Sequence, residues 1–146
     1  MPPSLSPILK VFRFVCWLGV AIWMSTVFYL SSQSMVDLAG FAWATELWDK
    51  FLHFIAFFAG ALPTVPALRL STDWQWRKIY WIAFAIVAGY GAADEVHQLW
   101  TPSRSGLSVG DWLADALGAL AGAGIAVFIH AKLEGRTTTR TAPAGN

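Results

Sequence analysis

Four long apolar runs constrain the fold of this chain more than any other feature. They span about residues 8–30, 49–68, 79–99 and 111–130, and each approaches the ~20 residues that a helix needs to cross the hydrocarbon core of a bilayer. The runs are apolar on all sides, whereas the helices of a soluble protein keep a polar face. Charged residues make up 13% of the chain, about half of the ~25% typical of a soluble domain. The sequence therefore predicts an all-α fold, an integral membrane bundle of four transmembrane helices within one domain, residues 1–130.

The segments outside these runs complete the predicted organisation. Residues 131–146 are polar and rich in Thr, a composition that predicts a disordered tail. Pro63 and Pro66 lie near the end of the second run, where we expect them to kink the helix. Between the first two runs, an irregular loop and a short surface helix fit equally well; the helix would have an apolar face made of Met35, Leu38, Phe41 and Ala42.

Basic residues are sorted to one side of the four runs. Only Lys50 and Arg104 fall on one side, whereas the other side carries Lys10, Arg13, Arg69, Arg77, Lys78, Lys132, Arg136 and Arg140. Cytoplasmic loops of membrane proteins are enriched in Lys and Arg. The sequence therefore predicts that both termini, including the polar tail, lie in the cytoplasm.

With this topology, all four runs bring polar side chains to the extracytoplasmic end of the bundle. The residues concerned are Gln33 after the first run, Asp49, Lys50 and His53 in the second, Asp94, Glu95, His97 and Gln98 in the third, Arg104 in the following loop, and Asp111 and Asp115 in the fourth. At 1.5 Å per residue, the deeper ones lie about 6–8 Å inside the helix ends. Ionisable groups at that depth should face the interior of the bundle and pair with one another.

This layer is acidic. Its carboxylates outnumber the permanent cations Lys50 and Arg104, so the excess must hold protons, bind a cation or meet a cationic group. Asp49 and Asp111 could simply cap their helices. Adjacent carboxylates at the C-terminal end of a helix, by contrast, oppose both the helix dipole and the lipid, which favours a functional role for Asp94 and Glu95.

Other patterns exclude several classes of function. The chain has no phosphate-binding loop, dinucleotide fingerprint or nucleophile elbow. Its aromatic residues are not accompanied by a basic stripe, so we expect no nucleic-acid partner. A lone cysteine, Cys16, excludes a disulfide framework. Small residues at every fourth position of the last run predict close helix packing; they are Gly110, Ala114, Gly118 and Gly122.

The same residues carry a family likeness. The stretches concerned are "YLSSQS" at 29–34, "DKFLHFIAFF" at 49–58, "DEVHQ" at 94–98, "PSR" at 102–104 and "SVGDWLADALGAL" at 108–120. Through them the chain resembles the VanZ-like family of small bacterial membrane proteins, whose founding member is associated with resistance to the glycopeptide teicoplanin. The resemblance implies a multi-pass bundle of four helices in a bacterial cytoplasmic (inner) membrane. The distribution of Lys and Arg then predicts that the polar site faces the extracytoplasmic side.

By position, the resemblance also carries over a polar signature. It consists of Ser32, Gln33, Asp49, Lys50, His53, Asp94, Glu95, Gln98, Arg104, Asp111 and Asp115. Two departures affect the placement of Arg104: the expected Pro-Gly-Arg reads Pro-Ser-Arg here, and the loop from Arg104 to Asp111 is one residue longer.

Two functional hypotheses follow, and the sequence leaves open whether the protein is an enzyme. In the first, the site binds an amphiphile such as a lipid-linked cell-wall intermediate, an anionic lipid or an acylated glycopeptide, through Gln33, Asp49, Lys50, His97, Gln98, Arg104, Asp111 and Asp115. In the second, a membrane enzyme modifies such a lipid, with Asp94 or Glu95 as general acid or base and His53 as proton shuttle. A divalent cation such as Mg²⁺ or Mn²⁺ fits this second hypothesis as a cofactor.

Overall fold

The computed structural model describes residues 6–32, 42–101 and 106–141, with side chains for 6–32, 47–101 and 106–135. Within them the chain forms four helices and no strand: α1 (Pro7–Ser31), α2 (Ala42–Ser71), α3 (Trp76–Gln98) and α4 (Val109–Thr141). Each helix contains a stretch long and apolar enough to cross a membrane. The predicted all-α bundle of four spans is confirmed.

Local sequence explains several of the helix boundaries. Ser6 caps α1 by accepting a hydrogen bond from the backbone N–H of Leu9 at 3.4 Å, and Pro7 occupies the first turn, where its missing N–H costs nothing. Helix α2 begins earlier than predicted and continues past Pro63 and Pro66 to Ser71. Met35, Leu38 and Phe41 of the suggested surface helix lie outside the described residues.

The C-terminal end of α4 differs from the sequence-based expectation. Residues 131–141, predicted as part of a disordered tail, continue the helix. The residues directly after the fourth apolar run, "AKLE" at 131–134, are good helix formers. One edge of the Arg69 guanidinium also holds both carboxylate oxygens of Glu134, with Nε donating at 2.9 Å and Nη2 at 3.0 Å. The prediction made from the Thr-rich composition therefore ended the helix too early.

Helices α2 and α4 approach each other closely, because glycines of α4 face the backbone of α2. A Cβ atom added at Gly118 would overlap the backbone carbonyl oxygen of Phe54, and one added at Gly122 would overlap that of Phe58. The two backbones are therefore in direct contact at these positions. Of the four small residues predicted to allow close packing, Gly118 and Gly122 do so inside the monomer.

Helix α1 docks on α2, and Trp23 is central to this contact. The Trp23 ring lies over Gly60, meets Phe57 edge-on with ring centroids 5.5 Å apart, and donates its Nε1–H to the backbone oxygen of Ala56 at 2.8 Å. From α3, the Tyr90 hydroxyl donates to the backbone oxygen of Met24 at 2.7 Å. These bonds satisfy polar groups for which the core of a bilayer provides no water as a hydrogen-bond partner.

The surface of the bundle is that of a protein solvated by lipid. Large apolar side chains on all four helices are more than 40% exposed, among them Ile8, Phe14, Phe51, Trp81, Leu117 and Phe128. Apart from Phe57, the fully buried apolar positions are small or medium-sized, such as Ala61, Val65, Ile79, Ala83, Ala119 and Ala123. An apolar surface this extensive is stable only in contact with lipid or a partner protein.

We expect Gly118→Ala to destabilise the bundle, because the added methyl group meets backbone atoms that cannot move aside. Overpacking of this kind costs about 1–3 kcal/mol, measurable as a lower midpoint in detergent-induced unfolding. Gly124→Ala on the same helix is the matched control, since its Cβ would meet only a Tyr80 ring atom at 3.7 Å. Equal midpoints for both variants would contradict the proposed backbone contact.

Candidate functional site

The C-terminal ends of α1 and α3 and the N-terminal parts of α2 and α4 meet at one end of the bundle. Side-chain contacts join them across the helices: Ser31 with Asp94, Lys50 with Asp111, and His53 with Asp115. We call this region the polar end. Its described members are Ser31, Asp49, Lys50, His53, Asp94, Glu95, His97, Gln98, Ser108, Asp111 and Asp115.

Asp94 links α3 to α1 and has partners for both carboxylate oxygens. Oδ1 accepts a hydrogen bond from the Ser31 hydroxyl at 2.6 Å, and Oδ2 accepts one from the side-chain amide of Gln98 at 3.0 Å. All three residues are buried. The sequence indicated Asp94 and Gln98 as candidate site residues. Ser31, at the end of the first apolar run, was recognised as polar but was not assigned to the site.

His53 and Asp115 form the buried link between α2 and α4. His53 Nδ1 lies 2.8 Å from Asp115 Oδ1, and the Asp115 side chain is 1% exposed. Gly91 of α3 makes room for this carboxylate, because a Cβ there would lie 2.8 Å from Asp115 Oδ2 and 3.0 Å from the ring of Phe57. Gly91 was not identified from the sequence; nothing but its missing side chain distinguishes it.

Glu95 is a buried carboxylate of the polar end with a hydrogen-bond partner for only one of its two oxygens. It is 3% exposed, and its Oε2 accepts a hydrogen bond from the backbone N–H of Ser108 at 2.6 Å. Its Oε1 has no hydrogen-bond partner among the described residues. A buried carboxylate oxygen without a partner costs free energy that the fold alone does not require.

The turn before α4 is shaped to reach Glu95. Gly106 has φ +50°, and a Cβ there would lie 2.9 Å from the backbone nitrogen of Leu99. Leu107 also has a positive φ, 53°, which is uncommon for a residue with a side chain. This conformation directs the Leu107 N–H to the Glu95 backbone oxygen at 3.3 Å, in addition to the Ser108 bond. The turn and Glu95 are therefore one structural unit.

Asp111 pairs with Lys50 and does not cap α4. The two charged groups are 3.6 Å apart, with the Lys50 side chain 34% exposed and that of Asp111 14%. Ser108 takes the capping role, because its hydroxyl accepts a hydrogen bond from the Asp111 N–H at 3.3 Å. The capping role considered for Asp111 is thus wrong, although its charge in the first turn still suits the helix dipole.

The remaining predicted residues are placed differently. The ring of His97 packs against that of Phe28, with centroids 4.5 Å apart, and its Nδ1 is buried without a partner in the described part of the chain. Asp49 is half-buried and lies near His53 and Asp111. Gln33 and Arg104 lie outside the described residues.

Two overlapping groups at the polar end could hold a cation. Asp49, His53 and Asp111 form the more exposed one, and His53, Glu95 and Asp115 form the buried one; in each, the potential ligand atoms lie within 4.8 Å of one another. Imidazole nitrogen and carboxylate oxygen are ordinary metal ligands. They are also the groups that transfer protons in acid–base catalysis. The arrangement therefore suits a bound cation, a cationic ligand group or proton transfer.

We expect Ser31→Ala to destabilise the protein by about 1–3 kcal/mol, because it leaves Asp94 Oδ1 buried without its donor. The measurement is again the unfolding midpoint in detergent. Ser25→Ala is the control on the same helix, since the Ser25 hydroxyl donates only within its own helix, to the Ala21 backbone oxygen at 2.8 Å. A Ser31→Ala variant as stable as the Ser25→Ala variant would show that the Ser31–Asp94 bond contributes nothing.

Comparison with known proteins bears on the chain as a whole. The family model described as VanZ/LLP1 matches residues 11–130, a range that includes every residue of the polar end. No curated protein and no solved structure matches the chain closely enough to show a relationship.

Proposed function

Because the chain belongs to the VanZ/LLP1 family, we propose that its polar end binds the headgroup of an amphiphilic cell-envelope ligand and thereby contributes to resistance to teicoplanin and related glycopeptides. The ligand classes that fit are a lipid-linked cell-wall intermediate, an anionic lipid and the acylated glycopeptide itself. Each combines a polar head with an apolar tail, as a site at the end of a lipid-solvated bundle requires.

The burial of Glu95 carries this proposal. Three carboxylates, those of Asp94, Glu95 and Asp115, are at most 5% exposed at one end of a membrane bundle, where ionisable groups are costly. Asp94 has its hydrogen-bond partners and Asp115 has His53, but Glu95 Oε1 has none among the described residues. An amine or a cation bound with the ligand would satisfy it.

The surroundings of the polar end supply the other two elements of amphiphile recognition. Lys50 is one-third exposed at the rim beside Asp111 and can attract an anionic group of the headgroup. Exposed apolar side chains continue from the polar end along the outside of α2 and α4, namely Trp48, Phe51, Leu52, Leu113 and Leu117. A tail lying along these helices would bury apolar surface while its head stays at the polar end.

The polar end is proposed to face the extracytoplasmic side of a bacterial cytoplasmic membrane. The support is the basic character of the opposite end, where Arg69 pairs with Glu134 and Lys78 lies 4.0 Å from the centre of the Trp74 ring. Such residues favour the cytoplasmic side. In this orientation, resistance would arise by competing for, or altering access to, the lipid-level site where an acylated glycopeptide anchors.

An enzyme is the second candidate, and one observation favours it. The 2.8 Å contact orients the His53 imidazole on Asp115, with the Glu95 carboxylate in the same group of residues. A carboxylate that fixes the orientation of an imidazole is a common arrangement in acid–base and metal-assisted catalysis. The substrate would be the same class of lipid or lipid-linked molecule, with Glu95 or Asp94 as acid or base.

The test is the susceptibility of a sensitive bacterium expressing the protein, measured for teicoplanin and vancomycin at matched membrane levels. We expect the wild-type protein to protect selectively against teicoplanin, and Glu95→Gln and Asp94→Asn to lose that protection, because both remove a buried charge from the polar end. Glu134→Gln is the control, since it makes the same chemical change as Glu95→Gln at the opposite end of the bundle.

Two outcomes would contradict the proposal. Protection by Glu95→Gln and Asp94→Asn equal to that of the wild type would make the polar end structural. No protection by the wild type would separate this chain from glycopeptide resistance. The degree of loss distinguishes the two candidates: a binding site should respond in graded fashion to Glu95→Asp and Glu95→Gln, whereas an enzyme that uses Glu95 as acid or base should lose nearly all activity in Glu95→Gln.

A further inference from the structure

We infer that His53, Glu95 and Asp115 bind one divalent transition-metal ion inside the polar end. The three residues come from three different helices, α2, α3 and α4, so the ion would join the bundle where the backbones of α2 and α4 are already in contact. The site itself does not depend on the proposed function. Only the role of the ion in holding a ligand rests on it.

The positions of the donor atoms fit such an ion. The ligand atoms of the three residues lie within 4.8 Å of one another. With metal–ligand bonds of about 2.1 Å, two ligands are about 3.0 Å apart in neighbouring positions of an octahedron and about 4.2 Å apart across it. The 2.8 Å between His53 Nδ1 and Asp115 Oδ1 is close to the first of these separations. Small side-chain movements would therefore complete the site.

Glu95 provides the independent indication of a missing partner. Its side chain is almost fully buried, and Oε1 accepts no hydrogen bond from any described residue. A cation satisfies the oxygen in its ionised form, and the Ser108 N–H already holds Oε2 of the same carboxylate at 2.6 Å. The turn before α4 thus orients one oxygen and leaves the other available.

Charge balance also favours a divalent ion over a proton. Two ionised carboxylates and a neutral imidazole carry two negative charges, which a divalent cation cancels. The adjacent Lys50–Asp111 pair is already balanced. Neutrality matters here because uncompensated charge is costly inside a membrane bundle. A protonated His53 would cancel only one of the two charges.

The donor set narrows the choice of metal. One nitrogen and two carboxylate groups mix the ligands preferred by Zn²⁺ with those preferred by Mn²⁺. Ca²⁺ prefers oxygen ligands throughout, whereas this group includes an imidazole nitrogen. Mn²⁺ and Zn²⁺ are therefore the ions that this group should bind best.

The more exposed acidic group provides a route to the site. Asp49 and Asp111 are half-buried, and their potential ligand atoms lie within 4.8 Å of that of the same His53. A hydrated cation would be attracted first to these carboxylates and then pass to the buried group. Water molecules left on the ion could be replaced by an oxygen of an anionic headgroup, which is how the metal would serve the proposed ligand.

The experiment is a titration of the purified full-length protein in detergent micelles with Mn²⁺, followed by electron paramagnetic resonance. We expect one bound ion per chain, displaced by Zn²⁺. Glu95→Gln and Asp115→Asn should each lower the affinity by roughly tenfold or more, at least the loss seen when a supporting residue of a metal site is changed. Glu134→Gln is the matched control and should bind Mn²⁺ as the wild type does.

A second measurement needs no variant. Electron spin echo envelope modulation of the Mn²⁺ complex of the wild-type protein should show an imidazole nitrogen coupled to the ion. Its absence, a wild type that binds neither Mn²⁺ nor Zn²⁺, or unchanged binding by Glu95→Gln would each overturn the inference. It would also fall if Asp111→Asn lost the ion while Glu95→Gln kept it, since the ion would then occupy the more exposed group.

Asp94→Asn separates this inference from the proposed function. Both oxygens of Asp94 have hydrogen-bond partners outside the metal group, so the variant should bind Mn²⁺ normally yet lose protection against teicoplanin. Loss of protection without any metal binding in the wild type would leave the proposed function standing and reject the ion. Metal binding by the wild type without protection would support the metal site and reject the proposed function.

Discussion

The constraint on which this structure depends is the cost of a polar group without a partner in a membrane. Several carboxylates and indole N–H groups inside the bundle have their hydrogen-bond partner on a neighbouring helix. Asp94 pairs with Ser31, Asp115 with His53, and Trp23 with the Ala56 carbonyl. These bonds fix how each helix is rotated about its own axis, which apolar packing among lipid-like side chains does only weakly. The same constraint makes the unsatisfied oxygen of Glu95 informative.

The contact between α2 and α4 is what allows the polar end to be built accurately. Gly118 and Gly122 bring the two backbones together, and the His53–Asp115 link lies on the same two helices about one turn nearer the polar end. Because backbone contact leaves little freedom for sliding or tilting, the separation of His53 and Asp115 is set by the packing. A binding site on rigid helices can hold its donors more precisely than one on loops.

The sequence was sufficient to predict the four spans and the end at which the polar residues gather, because both follow from run lengths and from the alternation of direction. It could not predict which carboxylate meets which partner. Asp94 and His97 both meet α1, where Asp94 bonds to Ser31 and His97 packs on Phe28. The bond from Ser108 to Glu95 depends on a turn with two positive φ values, one of them at a leucine, which no composition rule would suggest. The end of α4 was predicted too early, because the Thr-rich composition of the last residues was given more weight than the short run of helix formers before them.

Gly91 has a consequence for how such a chain can change over evolutionary time. Its missing methyl group is the space that the Asp115 carboxylate occupies, so position 91 cannot be enlarged while Asp115 stays in place. A larger residue at 91 is compatible only with a smaller or differently placed one at 115, whereas a smaller residue at 115 is compatible with Gly91. The two positions lie on different helices, 24 residues apart in the sequence, and should therefore covary. A larger residue at 91 is expected where the buried acid at 115 has been lost.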